Sequence, residues 1–368
     1  MRKVGLIVTL FHRCPSFAEV CESCERLALW RCRRGSRQWK AWSAWQGWLV
    51  LAVCLLGMLS AETAIAQAAG DKDANAQQTG AQQTSAQDAG GRTAGTAAMK
   101  YPIAVAVESG DAATDDTLYI VDLELPGIWM SKSGDRTLFA EGSPRFRQPL
   151  NRPRCIALHP SGGVLVGDSA TREVYHIPAA GAEPKPLSGG KIGIPMSLAV
   201  DSGGQWLFVA DAETQAIWRM PVDGGAPEWF ARVNARGLAF RDESTLAAVC
   251  PAKRSVQLID VSIPTVDRPD RIVDNPAVTT VLDQRTFQFP AGLAVADDRL
   301  LVTDVYAGGV FSVDGDGAVT AWAEGQDLAG PVGIAAGDNA VWVADPQRGR
   351  LVAFSRDESS PKVVATRQ

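Results

Sequence analysis

Histidine is almost missing from this sequence: there are three among 368 residues, and only His159 and His176 lie beyond the N-terminal leader. So small a supply leaves little material for imidazole acid–base chemistry or a histidine-rich metal centre. Charge of one sign is also lacking, with 36 Lys and Arg against 41 Asp and Glu, which argues against a nucleic-acid binder. No apolar run reaches the ~18 residues of a clean membrane span, so a polytopic membrane protein is excluded. Five of the seven cysteines lie in the first 54 residues, leaving Cys155 and Cys250 for the rest of the chain. What the sequence does have is turn material, 35 Gly and 21 Pro, in a chain that is 46% hydrophobic. That balance suits a turn-rich β protein with a large core.

Residues 1–47 hold nine Lys or Arg and three acids, and Trp48 to Ala61 then reads WLVLAVCLLGMLSA. This is a basic segment followed by an apolar run of signal-peptide length, and Ala64-Ile65-Ala66 supplies the small-x-small cleavage pattern. Residues 1–66 are therefore expected to be a signal peptide cut after Ala66, with an uncleaved N-terminal membrane anchor as the alternative. The Cys21-x-x-Cys24 pair has no second pair at zinc-ligand spacing and is not read as a metal site. Removing the leader leaves 27 bases against 37 acids, a distinctly acidic remainder. Residues 67–99 are almost wholly Gln, Ala, Gly, Thr, Asp and Asn, with no aromatic residue. They cannot bury enough surface to fold and are read as a flexible linker.

From residue 100 to residue 368 the sequence repeats. A first segment recurs six times, as PIAVAV from Pro102, PRCIAL from Pro153, PMSLAV from Pro195, ARGLAF from Ala235, PAGLAV from Pro290 and PVGIAA from Pro331. A second apolar segment follows each copy and ends at Asp122, Asp168, Asp211, Cys250, Asp304 or Asp345. Six residues further on stands an aliphatic residue in every copy: Ile128, Val174, Ile217, Val256, Val310 and Leu351. A constant offset means a structurally fixed turn, with the aspartates bonding loop amides. Each unit predicts four short strands, and a sheet with two apolar faces must pack against copies of itself around an axis. The expected fold is all-β: a six-bladed propeller of four-stranded blades. Between Asp260 and Gln288 the fourth unit carries a polar, Pro-rich insertion.

These P-x-G-[LI]-A…[VA]-D…[IVL] units resemble NHL repeats and, more broadly, the six-bladed propellers that include the SMP-30/gluconolactonase-like proteins. The resemblance covers residues 101–368 and implies a fold shared by binding scaffolds, metal-dependent lactone hydrolases and lyases. Hydrolysis of that type implies a divalent cation held by oxygen ligands at the positions that here are Ile103, Arg154, Met196, Arg236, Ala291 and Val332. None offers an oxygen, and a hard cation wants several. No metal or other cofactor is therefore expected, a divalent cation entering only under the hydrolase alternative.

The first-strand entry and the turn after the second strand fall on one face, so Arg154 and Arg236 should lie near the channel mouth beside the five aspartates. If those aspartates both cap their turns and pair with the arginines, no free site remains. The functional alternative places a ligand-binding sector at Arg154, Arg236, Lys253 and Arg254, where Cys250 replaces an aspartate and donors for a carboxylate or phosphate accumulate. His159 and His176 are read as an ordinary turn residue and a partly exposed strand residue. Cys155 and Cys250, in non-adjacent units, are read as buried thiols. Trp206, Trp218, Trp229, Trp322 and Trp342 are read as packing between blades rather than as a sugar platform. The functional expectation is an exported (periplasmic or extracellular) binding scaffold for a partner protein or a small anionic or carbohydrate ligand, not for nucleic acid, touching a membrane only if the leader is retained. A metal-dependent lactone or ester hydrolase is the alternative.

Overall fold

The computed structural model describes residues 98–262, 278–282, 286–323, 327–356 and 361–368. The expected leader, the linker up to residue 97 and most of the fourth-unit insertion lie outside the described residues. Blade one contains β1 (Pro102–Glu108), β2 (Thr117–Asp122), β3 (Ile128–Lys132) and β4 (Asp135–Ala140). Blade two has β5 (Pro153–Leu158), β6 (Val164–Asp168), β7 (Glu173–Ile177) and a two-residue β8 (Lys185–Pro186). Blade three has β9 (Pro195–Val200), β10 (Trp206–Asp211), β11 (Ala216–Pro221) and β12 (Glu228–Ala231). Blade four has β13 (Gly237–Phe240), β14 (Thr245–Cys250), β15 (Ser255–Asp260) and β16 (Val278–Thr280). Blade five has β17 (Pro290–Ala296), β18 (Arg299–Asp304), β19 (Gly309–Val313) and β20 (Val319–Ala321). Blade six has β21 (Ile334–Ala336), β22 (Ala340–Asp345), β23 (Arg350–Ser355) and β24 (Val363–Arg367).

Every sheet is antiparallel and runs in sequence order, so among the described residues no strand is exchanged between the termini. Ring closure is achieved by side-on packing: β1 lies against β21 and β22. Asn339 Nδ2 donates to Gly110 O, and the indole N–H of the fully buried Trp342 donates to Asp116 Oδ2 at 2.7 Å.

The apolar residues form one cluster per seam between neighbouring blades. That is what two-faced sheets require, since each face is buried only when another blade covers it, and each Leu, Val or Ile so covered contributes ~1.5–3 kcal/mol. All six aliphatic residues at the fixed offset, Ile128, Val174, Ile217, Val256, Val310 and Leu351, are completely buried. In five blades the third strand begins one residue earlier than the pattern predicts, because the turn residue before the aliphatic one already pairs with the second strand or extends its ladder.

Candidate functional site

The first strands line the axis, and a local irregularity at their start decides what faces the channel. Pro102 pairs with Asp122 and Ala104 with Val121, so Ile103 is an unpaired extra residue. Arg154 is skipped in the same way in blade two, and Met196 in blade three. Bulges of this kind re-aim a side chain. Ile103, Arg154, Met196 and Ala291 lie at such irregularities, Arg236 and Val332 stand just before their first strands, and all six line one axial cavity of about 280 Å³. Most of the rest of its wall is apolar or backbone, with Leu123, Leu198 and Ile334 the bulkier contributors. Arg154 and Arg236 are the only charged side chains on it among the described residues.

The five aspartates surround this mouth but do not enter it. Asp122 accepts from the amides of Lys100 and Tyr101, before β1, and from those of Glu124 and Leu125, after β2. Asp211 accepts from Gly193, Ile194 and Glu213 amides and from the Thr214 hydroxyl. Asp304 takes Gln288, Phe289, Tyr306 and Ala307 amides. Asp168 takes Arg152 and Ala170 amides with the Thr171 hydroxyl, and Asp345 takes Ala329 and Gly330 amides. The first four carboxylates clamp the entry to the first strand onto the turn after the second, while Asp345 bonds entry amides and lies 3.5 Å from Arg350 Nε.

Because backbone donors consume these carboxylates, the pairing with the channel arginines does not form. Arg154 Nε donates to Ser169 Oγ at 3.0 Å. The Arg236 guanidinium lies 5.8 Å from the centre of the Phe289 ring and, among the described residues, has no carboxylate or hydrogen-bond partner. Burial and the neighbouring Arg154 cation lower its pKa, although a guanidinium stays charged throughout the physiological range. Two cations thus share an apolar recess without a counter-ion. Lys253 and Arg254 are exposed in the β14–β15 turn at the same end of blade four and do not line the cavity.

The two ends of the ring differ in charge. First strands begin, second strands end and fourth strands end at the mouth, as the Pro102–Asp122 and Ile128–Ala140 pairings fix. Connections on that face expose Arg145, Arg147, Arg152, Lys191, Arg232 and Lys253, while the aspartates there are spent on amides. The turns at the other end carry Asp111, Asp201, Asp223, Asp242, Asp298 and Asp316. Reading the sequence unit by unit missed Arg145, Phe146, Arg147 and Arg152, because they fall in a connection and repeat in no other blade. Their density, four arginines within ten positions ending at Arg154, was the available signal.

His159 and His176 turn out not to be independent. Their rings stack with centres 3.8 Å apart, His159 is 5% exposed, and its Nε2 lies 3.5 Å from Asp223 Oδ1. Both sit away from the mouth, since His159 follows β5. Cys155 and Cys250 are free, buried thiols, and burial pushes each pKa up to about 12, which removes nucleophilic character. Trp322 and Trp342 are buried in seams as expected; Trp206, Trp218 and Trp229 are half-buried on blade three, and no Trp lines the cavity.

The side chains of the mouth do not fit a hard divalent cation. Among the described residues the only side-chain oxygen on the cavity wall is the Ser197 hydroxyl, which already accepts from the Leu238 amide, and both charged groups are cations, whereas a hard cation wants several oxygens.

No family model matches the sequence, and no curated relative was found. The fold is similar to that in the crystal structure of a nidogen/laminin complex, at 17% identity and a TM-score of 0.53 over 68% of this chain and 90% of that one. It is likewise similar to a gluconolactonase of Xanthomonas campestris, at 16% identity and a TM-score of 0.52 over 68% of this chain and 84% of that one. A putative gluconolactonase gives 12% identity and a TM-score of 0.52 over 72% of this chain and 90% of that one. Likeness at such identities establishes architecture and not activity: this is an all-β six-bladed propeller whose structural neighbours include both a binding-type and gluconolactonase-type proteins.

Proposed function

We propose that this protein is an exported binding scaffold whose channel mouth captures a carboxylate or a similarly sized anionic group between Arg154 and Arg236. The observation that carries the reading is the pair of cations in an apolar recess with no acid on its wall. Such a pair is held in place by the fold at an electrostatic cost, and an anion entering between them removes that cost while gaining charge-assisted hydrogen bonds. A planar guanidinium presents a fork of donors, so a carboxylate is matched in shape as well as in charge.

A lactone or ester hydrolase of the gluconolactonase type would need a cation where these arginines stand. Under the binding reading, calcium, magnesium, manganese and zinc leave the melting temperature unchanged, since a ligand stabilises only a state that binds it.

Calorimetric titration with succinate tests the site. Binding to the wild type should weaken as salt is added, and Arg154→Ala and Arg236→Ala should each weaken it on the order of tenfold, about 1.4 kcal/mol. Unaltered affinity in the double variant would remove the assignment. Export is checked separately by the intact mass of protein recovered outside the cytoplasm, where cleavage after Ala66 predicts a chain starting at Gln67.

A further inference from the structure

We propose that the mouth face docks an extended acidic segment of a partner protein, with Arg145, Phe146, Arg147 and Arg152 as the outer contact and the channel arginines as the inner one. The proposal rests on the channel reading for its inner contact only. Its own basis is the β4–β5 connection, residues 141–152, which runs along the rim and leads through Pro153 directly to Arg154.

Arg145, Phe146, Arg147 and Arg152 are all exposed, Phe146 at 66%. None of the three arginine side chains has a carboxylate partner among the described residues. Two other exposed arginines do have one: Arg172 pairs with Glu213 and Arg348 with Asp327. Arg232 and Arg254 are also exposed without a carboxylate partner among the described residues, but each stands alone in its connection, whereas the β4–β5 connection gathers three such arginines around an exposed Phe146. It also lies in a protein that is acidic overall beyond its leader, so charge complementarity points to an acidic ligand approaching from this side, steered by the opposite charge of the two ring ends.

The connection is built to hold its shape. Leu150 is completely buried beneath it, Asn151 Nδ2 donates to Ser143 O at 2.8 Å, and the Arg145 amide donates to Ser143 Oγ at 3.1 Å. The Arg147 guanidinium stands 5.6 Å from the centre of the Phe146 ring. A preorganised rim loses little entropy on binding. Across the mouth, Tyr306 is 71% exposed and its ring lies 5.2 Å from that of Phe289, which Arg236 covers. Aromatic anchors with arginines beside them are the composition of binding hot spots.

Two features favour a polypeptide over a bilayer or a nucleic acid. Arg154 and Arg236 line an axial cavity that one carboxylate side chain can enter and a flat headgroup layer meets only at its edge. Glu124 and Glu141 are exposed on the same rim, where they oppose a continuous anionic sheet or a phosphate backbone, while a segment with spaced acids passes between them.

The test titrates purified full-length protein with a Glu-rich peptide containing one Trp, alongside succinate. Reversing the rim charges with Arg145→Glu and Arg147→Glu should weaken the peptide roughly tenfold or more and flatten its salt dependence, leaving succinate affinity as in the wild type. Phe146→Ala should weaken the peptide and spare succinate. If the charge-reversed protein loses its strand circular dichroism, the Arg145→Gln and Arg147→Gln pair gives the same readout. Peptide affinity unchanged by these rim variants overturns the proposal. So does preferential binding of phosphatidylserine vesicles or of a single-stranded oligonucleotide over the peptide. Failure of succinate to bind the wild type would instead overturn the channel reading, independently of the rim result.

Discussion

Small residues in the second strands are set by what lies across the seam. Gly167 occupies the place held by Val121, Ala210, Val249, Thr303 and Ala344 in the other blades, and a Cβ built there falls 2.6 Å from Cys155 Sγ and 2.7 Å from Pro195 Cβ. Gly167→Ala should therefore destabilise the protein by about 1–3 kcal/mol, and adding Cys155→Ala should recover part of that loss, measurable in a double-mutant cycle by denaturant titration. The thiols themselves should resist alkylation at neutral pH until the chain unfolds, because burial pushes both up to about 12. His159 carries the pH dependence. Burial and His176 lower its pKa, Lys185 adds to the lowering, and Asp223 opposes it. A folded state that prefers the neutral ring has its contribution present above about pH 6.5 and loses it as the pH falls below that value. The melting temperature should accordingly drop on acidification more in the wild type than in His159→Gln. The stacking behind this was invisible in the sequence. The two histidines are separated by a full strand, β6, and nothing in a one-dimensional pattern says that a turn residue folds back over the third strand.

At the scale of the element, the aspartate clamps explain why the repeat is legible at all. One carboxylate must reach both the entry to the first strand and the turn after the second, which fixes the spacing in between and prints a period on the sequence. Asp211→Ala should strand at least three backbone amides and cost about 1–3 kcal/mol, seen as a lowered melting temperature. Blade four is the exception. With Cys250 in the clamp position, the thiol makes only long contacts to Gln257 Oε1 at 3.6 Å and Ala248 O at 4.0 Å. Hydrogen exchange should therefore open amides 235–238 before the matching amides of blades one, two, three and five. The bulges were less legible than the clamps. The sequence pattern identifies which residue stands second in each unit, but only the skipped pairings around Ile103, Arg154 and Met196 reveal that this residue is turned toward the axis. The rim arginines escaped for the opposite reason: they belong to one connection, and a search for sameness between units passes over what a single unit has.

For the whole molecule, a ring of two-faced sheets is stable only when its last seam is closed, and here closure depends on blade six meeting blade one without an exchanged strand. The buried Trp342 indole against Asp116 is the polar lock of that seam, backed by Met99, Val105, Leu118 and Trp129. Asp116→Ala should leave the indole N–H and the Gly110 amide unsatisfied, lower stability by about 1–3 kcal/mol, and raise hydrogen exchange in β1 and β22 together. The closed ring also sorts charge, because the five turn aspartates at one end are spent on amides while several arginines and lysines there stay exposed. A channel mouth with two uncompensated arginines is the point to which this arrangement leads, and its occupancy is the central claim. The most direct measurement is a crystal structure of the full chain soaked with bromosuccinate, read by bromine anomalous scattering. The expected result is a peak in the axial cavity with carboxylate oxygens within hydrogen-bonding distance of the Arg154 and Arg236 guanidinia. A mouth holding a coordinated divalent cation instead, or bromine bound only away from these two side chains, would contradict it.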